Sequence, residues 1–270
     1  MSAVETNSIL AAAVEHEPLL LSLIVPMYNV GEEARETLRR LQSFRAAQSY
    51  GSELIVVDDG SETPVLDVIA GSGLEDADIR FIRLDQNCGK GYAVARGMAA
   101  ARGHYRIFID ADLAYPPSQI QRILGTLRAG ADVAVASRKH PESRAVWRRA
   151  SLWQVRGSHV QVGARYLASR AFNAAVRFTL LAGIRDTQAG LKGFSAEASR
   201  IIFQRLSIPR FAFDVEALVI ARRHGLTIEQ TGVTFRATTE STTVRWCQDT
   251  VRMARDLIAV FWRVRRGCYD

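Results

Sequence analysis

The sequence predicts an α/β protein with a mostly parallel sheet flanked by helices on both faces. Three observations predict it. Short apolar runs alternate with stretches of helical periodicity, the pattern of parallel strands joined by helical crossovers. Four polar clusters fall at or just after the apolar runs, at the edge where open parallel sheets bind ligands. The 270 residues suffice for one sizeable core, and neither an internal repeat nor a low-complexity linker divides them.

Residues 1–18 read as a loose tail. Residues 21–25 have a buried-strand pattern, ended by Pro26, and 33–48 a helical one with Leu38, Leu41 and Phe44 on one face. Further strands are expected at 54–57, 79–84, 105–109 and 132–136, with helices at 90–102 and 117–129. Beyond residue 137 the character changes: 138–185 is rich in arginine and aromatic residues, and 187–235 mixes β and α signals. A single domain over 19–248 is therefore expected, with a half of nucleotide-binding type at about 19–137 and a second half of different character at about 138–248. A basic amphipathic helix should close the chain at 249–270.

The chain carries 35 basic and 28 acidic residues, a formal charge of +7. That favours an anionic partner, whether a nucleotide, a lipid phosphate, an acidic membrane or a nucleic acid. Its cysteines, Cys88, Cys247 and Cys268, are few, odd in number and without zinc spacing, which suits a reducing cytosol. The first 18 residues contain Glu5, Glu15 and Glu17 and lack the basic start of a signal peptide. No apolar run approaches 20 residues, so membrane contact is expected to be peripheral.

The polar clusters carry the chemistry. Asp110-Ala111-Asp112 follows the apolar run 105–109. Such a pair of carboxylates can hold a hard divalent ion, Mg2+ or Mn2+, beside a diphosphate, or can simply cap the next turn. Gly89-Lys90-Gly91 opens a helix. Glycines admit close backbone approach, and a helix N-terminus with a lysine favours phosphate; a plain turn is the alternative. It lacks the spacing of a Walker A loop. Asp58-Asp59-Gly60-Ser61 could accept hydrogen bonds from a base or ribose, or form only a loop. Pro26-Met27-Tyr28-Asn29 completes the set.

With these go two further segments, Asp186-Thr187-Gln188-Ala189-Gly190-Leu191-Lys192-Gly193-Phe194 and Phe211-Ala212-Phe213-Asp214-Val215-Glu216. In this order and spacing, over about residues 20–260, the chain resembles the family 2 glycosyltransferases of the GT-A fold. Within them it is most similar to the dolichyl-phosphate and polyprenyl-phosphate β-glucosyltransferases, on the last two segments. The resemblance implies an inverting, metal-dependent hexosyltransferase, with glucose from UDP-glucose passing to a lipid phosphate. It places the nucleotide-sugar on Pro26, Tyr28, Asn29, Asp58, Asp59, Lys90, Asp110 and Asp112, the last two also holding the metal. The family's glutamate follows its asparagine directly. Here Val30-Gly31 intervene, and Glu32 is the candidate for its place.

A lipid phosphate is already ionised, so positioning and charge neutralisation outweigh proton removal. Arg138, Arg170 and Lys192 are the candidates for the acceptor phosphate. Asp186 and Asp214 are the candidates for base or acceptor orientation, and Lys192 joins them as a catalytic candidate. Each has a plainer reading, as a turn, a solvated lysine or a helix-terminus charge. The last helix sets Val251, Ala254, Leu257, Ile258, Phe261 and Trp262 on one broad face, with Arg252, Arg255, Arg263, Arg265 and Arg266 around it. That is the composition of an interfacial helix at an anionic membrane, here its cytoplasmic face; solvated arginines on a packed helix are the alternative. The stretch 147–170, with Trp153, Tyr166 and five arginines, could form a second such surface.

Other readings keep the fold and change the chemistry: a non-lipid acceptor, or GDP-mannose as donor. A nucleotidyltransferase would be expected to carry a glycine- and arginine-rich loop after the first strand, which Pro26-Met27-Tyr28-Asn29 is not. A nucleic-acid binder would be expected to show a helix-turn-helix, zinc or RNP signature, and none is present.

Overall fold

A computed structural model describes residues 19–74, 78–147, 181–237 and 246–270. The expected tail, Arg170 and most of the stretch 147–170 lie outside the described residues.

Seven strands form one sheet in the order β3-β2-β1-β4-β7-β5-β8. They are β1 (Leu21–Met27), β2 (Ser52–Asp58), β3 (Ile79–Arg83), β4 (Tyr105–Ile109), β5 (Val133–Ser137), β7 (Leu191–Ser195) and β8 (Ile228–Gly232). Only β7 runs against its neighbours, β4 and β5. A small parallel pair, β6 (Arg144–Trp147) with β9 (Thr234–Ala237), stands apart. The helices are α1 (Glu33–Ala46), α2 (Val65–Ile69), α3 (Lys90–Ala100), α4 (Gln119–Arg128), α5 (Ala196–Arg205), α6 (Phe213–Arg223) and α7 (Trp246–Arg265).

Period-two alternation sends neighbouring strand residues to opposite faces, and the core divides accordingly. Ile24, Ile55, Val57 and Phe108 join Ala93, Val94 and Met98 of α3, Ala198 and Ile202 of α5, and the buried face of α6. Leu23, Val25, Leu54, Val56 and Ile107 meet Leu38 and Leu41 of α1, Val65 and Ile69 of α2, and Ile120, Ile123, Leu124 and Leu127 of α4. Each fully buried Leu or Ile stabilises by about 1.5–3 kcal/mol relative to exposure, so both faces of the sheet are committed.

Pro26 does not end β1, as the sequence suggested. The strand runs through it to Met27, still paired with β2. Pairing with β4 has already stopped at Ile24↔Phe108, and β1 keeps its ladder with β2. A residue with no N–H to donate is tolerated where one ladder has ended. The C-terminal ends of β1 and β4 are thus free to part.

Among the described side chains of the closing helix, some face the core and some face outward. Val260 is fully buried and Leu257 and Val264 pack on the α3–α5–α6 side of the core. Ile258 and Trp262 point outward, 58% and 54% exposed, and the Arg265 guanidinium lies over the Phe261 ring at 4.7 Å. Tyr269, after the helix, is buried and donates to Glu216 Oε1 at 2.6 Å.

Candidate active site

Strand order reverses between β1 and β4: β2 and β3 lie to one side, β4 and β7 to the other. The crevice beyond their carboxyl ends is where an open α/β sheet binds its ligand, and all four polar clusters open there.

Two of the clusters are first of all architecture. Asn29 sits at φ 50°, a left-handed conformation that Asn tolerates. Its N–H donates to Ser61 Oγ at 3.0 Å and its Oδ1 accepts from Glu62 N at 2.9 Å, tying the β1 loop to the β2 loop. Asp58 accepts from Ser61 N (2.9 Å), Val65 N (3.1 Å) and Arg83 Nη1 (2.9 Å). Asp59 accepts from Asn87 Nδ2 (3.0 Å), Cys88 N (2.8 Å) and Gly89 N (2.9 Å). Both carboxylates are buried, and burial raises the Asp59 carboxyl against its N–H donors. A carboxylate offers about four acceptor sites, so these two spend most of theirs on loop shape. Tyr28, by contrast, is 46% exposed at the mouth. Glu32 pairs with Arg35 on the surface, its side chain 75% exposed.

The turn into α3 is drawn tight by Asp59. Gly89 has φ 103°, and a Cβ there would meet Pro209 O at 2.6 Å and the Arg210 side chain at 2.9 Å. Tyr92 N donates to that same Pro209 O at 3.0 Å. The 207–210 loop is held from below by Glu216, fully buried, which accepts from Ser207 N (3.0 Å) and Ile208 N (2.7 Å). Arg210 and Glu216 therefore shape the cradle. The sequence carried Glu216 within the Phe211–Glu216 segment of the resemblance, without this role, and left Arg210 unnoticed, because loop-to-loop contact leaves no local pattern.

Asp110 and Asp112 follow β4. Asp110 N donates to Gly190 O at 2.9 Å, and a Cβ at Gly190 would lie 2.1 Å from Asp110 Oδ2. Glycine at 190 is what lets the carboxylate sit there. Lys90 Nζ approaches Asp110 Oδ1 at 2.6 Å, with side chains 22% and 30% exposed. Burial tends to lower the Lys90 ammonium, but Asp110, Asp214 and Asp112 raise it further. Asp112 Oδ1 accepts from Ala114 N at 2.9 Å. It stands at the open rim, yet the surrounding protein raises its carboxyl, opposed by the Ala114 N–H, and the Asp110 charge adds to the rise. Leu113, between them and the next element, takes φ 46°, a left-handed strain that a branched side chain adopts only when its surroundings impose it.

Two acid–base pairs lie deeper. Asp186, 1% exposed, receives Arg138 Nε (2.7 Å), Nη2 (3.0 Å) and N (3.1 Å). Burial opposes its ionisation, but the guanidinium outweighs it and holds the carboxyl below the usual range. So held, Asp186 is a poor base and a good orienter of Arg138, whose side chain remains 45% exposed. Lys192 is fully buried on β7. Its Nζ donates to Asp214 Oδ1 (2.5 Å) and Ala189 O (2.7 Å). Burial lowers the Lys192 ammonium and raises the Asp214 carboxyl. Lys192, expected to serve the acceptor phosphate, has its head group engaged by Asp214 and the Ala189 carbonyl in this structure. Tyr115 is 3% exposed, and among the described residues its hydroxyl has no hydrogen-bond partner.

Asp110, Asp112 and Lys90 are thus brought together, with Asp214 close enough to act on Lys90. Asp58, Asp59 and Asn29 shape the walls, and Glu32 lies apart.

Comparison with known proteins agrees with this geometry. The model of the family described as Glycosyl transferase family 2 matches residues 22–200. The chain is 30% identical over 272 residues to the dolichyl-phosphate beta-glucosyltransferase of Drosophila melanogaster, covering 95% of this chain and 79% of that one. It is 31% identical over 267 residues to that of Homo sapiens, covering 92% and 77%. Among solved structures, glucosyl-3-phosphoglycerate synthase from Mycobacterium tuberculosis, in complex with Mn2+, UDP and glucosyl-3-phosphoglycerate, superposes with a TM-score of 0.60. It is 22% identical and the match covers 92% of this chain and 80% of that one, a likeness of fold. The parallel sheet with its crevice at the β1–β4 reversal, and a family match spanning most of the chain, make this protein a member of glycosyl transferase family 2.

Proposed function

We propose that the protein is an inverting glucosyltransferase that moves glucose from UDP-glucose to a polyprenyl- or dolichyl-type lipid phosphate. One observation carries the reading. The segment 186–194, which resembles the lipid-phosphate branch, folds directly onto the catalytic edge, bringing Gly190 against Asp110 and Asp186 against Arg138. Relatives 30–31% identical over most of the chain are dolichyl-phosphate beta-glucosyltransferases.

The residues suit a divalent ion. Asp110 and Asp112 supply two carboxylates, and Gly190 leaves room for the first. Among the described residues no group of three or more His, Cys, Asp or Glu is arranged to hold an ion alone. Mg2+ and Mn2+ characteristically take one or two carboxylates and complete their shell with substrate phosphates and water. When bound, such an ion would stabilise the charge of the departing diphosphate.

The protein's own groups do the rest. The α3 N-terminus and Lys90 receive diphosphate oxygens. Arg138, aimed by Asp186, draws in the acceptor phosphate. The acceptor oxygen attacks the anomeric carbon as its bond to UDP breaks, the electron pair leaving with the nucleotide and the configuration inverting. The acceptor is ionised beforehand, so no base is needed. Contact with the membrane, at its cytoplasmic face, falls to the outer edge of α7, where Ile258 and Trp262 stand among exposed Arg255, Arg265 and Arg266. No helix among the described residues is long and apolar enough to cross a membrane.

The test is transfer from radiolabelled UDP-glucose to short polyprenyl phosphates with Mn2+ or Mg2+, for wild type and Asp112→Ala. Labelled glycolipid from wild type, falling on the order of 10^2–10^3-fold in the variant, supports the reading. Transfer only from GDP-mannose, or only to 3-phosphoglycerate, would replace the donor or the acceptor.

A further inference from the structure

We infer that Lys90 is a resident counter-cation for Asp110, displaced onto the donor diphosphate when a divalent ion binds, so that ion and nucleotide must bind together. The inference rests on the proposed donor and metal, and asks what this chain does before they arrive.

Lys90 Nζ sits 2.6 Å from Asp110 Oδ1, a carboxylate oxygen that a divalent ion would also seek. The carboxylate has little freedom to serve both. Its other oxygen fills the space a Cβ at Gly190 would need, 2.1 Å from it, and its backbone N–H is fixed to Gly190 O at 2.9 Å. An incoming ion and the ammonium therefore compete for one carboxylate. Among the described residues, Asp110 is the carboxylate the lysine contacts. Asp214 is already engaged by Lys192 at 2.5 Å, and the Phe108 ring, 5.8 Å from Nζ, offers only a weak cation–π site. A diphosphate at the α3 N-terminus would give it new oxygens. Lys90 and Asp110 are 22% and 30% exposed, so the exchange needs no unfolding.

Charge points the same way. Two lysines, 90 and 192, face three aspartates, 110, 112 and 214. A divalent ion alone would reverse the sign of this pocket, and a diphosphate would restore it. Binding of each should then favour the other by the same factor, since coupling is reciprocal.

The experiment titrates Mn2+ into the full chain, following free Mn2+ by electron paramagnetic resonance, with and without saturating UDP. Wild type is compared with Lys90→Met and Lys90→Gln, the second retaining a polar side chain in case the first fails to fold. Wild type should bind Mn2+ at least about 10-fold more tightly with UDP, within the usual span of coupling. In the variants, Mn2+ binding without UDP should tighten by about 10-fold and the UDP enhancement should shrink. Unchanged or weaker Mn2+ binding without UDP in both variants, with wild-type coupling intact, overturns the inference and spares the donor reading. Failure of wild type to bind Mn2+ even with UDP overturns both.

Discussion

The Lys90–Asp110 pair keeps 22% and 30% of its side chains exposed, whereas Lys192–Asp214 keeps 0% and 7%. Both lysines approach the ring of Phe108, at 5.8 and 5.4 Å. The chemistry is the same and the depth differs. At the crevice mouth an ion pair can change partners, because water and ligands reach it. On β7, between β4 and β5, the pair is sealed, and its work is to fix Ala189 and the strand start that seats Asp110. Depth, more than residue type, separates an ion pair that solvent can reach from one that is sealed in the wall.

The comparison is broken most sharply at its buried member. Lys192→Met should destabilise by about 3–5 kcal/mol, because Asp214 is left as an uncompensated buried charge. The double variant Lys192→Met/Asp214→Leu should recover most of it, measured by urea unfolding. Equal losses in the single and double variants would mean that the pair is not the cause.

Arg138→Ala tests the intermediate case. It should cost on the order of 2 kcal/mol at neutral pH, less than the sealed pair because Arg138 is half exposed. Its sign with pH is fixed by Asp186. The folded carboxyl is held below its unfolded value, so its stabilisation is present above the ordinary carboxylate pKa, about 4, and is lost as pH falls through the folded value. Unfolding curves of wild type and variant should therefore converge as pH falls below about 4. A gap that stays constant with pH would assign the loss to packing instead.

Gly190→Ala sharpens the exposed side. A Cβ would lie 2.1 Å from Asp110 Oδ2, so the carboxylate must shift. Mn2+ affinity in the presence of UDP should drop by about 10–100-fold, as when a metal ligand loses its support. The smallest effect belongs to Glu32→Ala. Its partner is Arg35, on the surface, and such pairs are worth at most about 0.5 kcal/mol. UDP affinity, read by calorimetry, should not change. A tenfold weakening would place Glu32 on the nucleotide after all.

Much of the donor side was legible in the sequence. The strands to residue 137 declare themselves as apolar runs, and Asp110 and Asp112 follow one of them directly. The antiparallel β7 was harder. Leu191-Lys192-Gly193-Phe194 interrupts its apolar pattern with a lysine, which reads as solvated until Asp214, 22 residues later, is seen to meet it. The two readings of α7 stayed open for a related reason. Periodicity collects Leu257, Ile258, Phe261 and Trp262 on a broad stripe, but only the core decides which edge of that stripe it covers. Pro26 was read as a stop because its missing N–H matters in a two-sided ladder, and the sequence does not say that one side has already ended.

The sequence alone determined the alternating α/β order, the four polar clusters, the Asp110–Asp112 pair and the glycine-bounded lysine, each as a separate motif, since these rest on local periodicity and turn chemistry. Tertiary structure alone decided which lysine is sealed, which aspartates are spent on loops, and that Gly190 lies under Asp110. Burial and partnership are made by segments distant in the chain, and no local pattern records what will cover a residue once the sheet has closed.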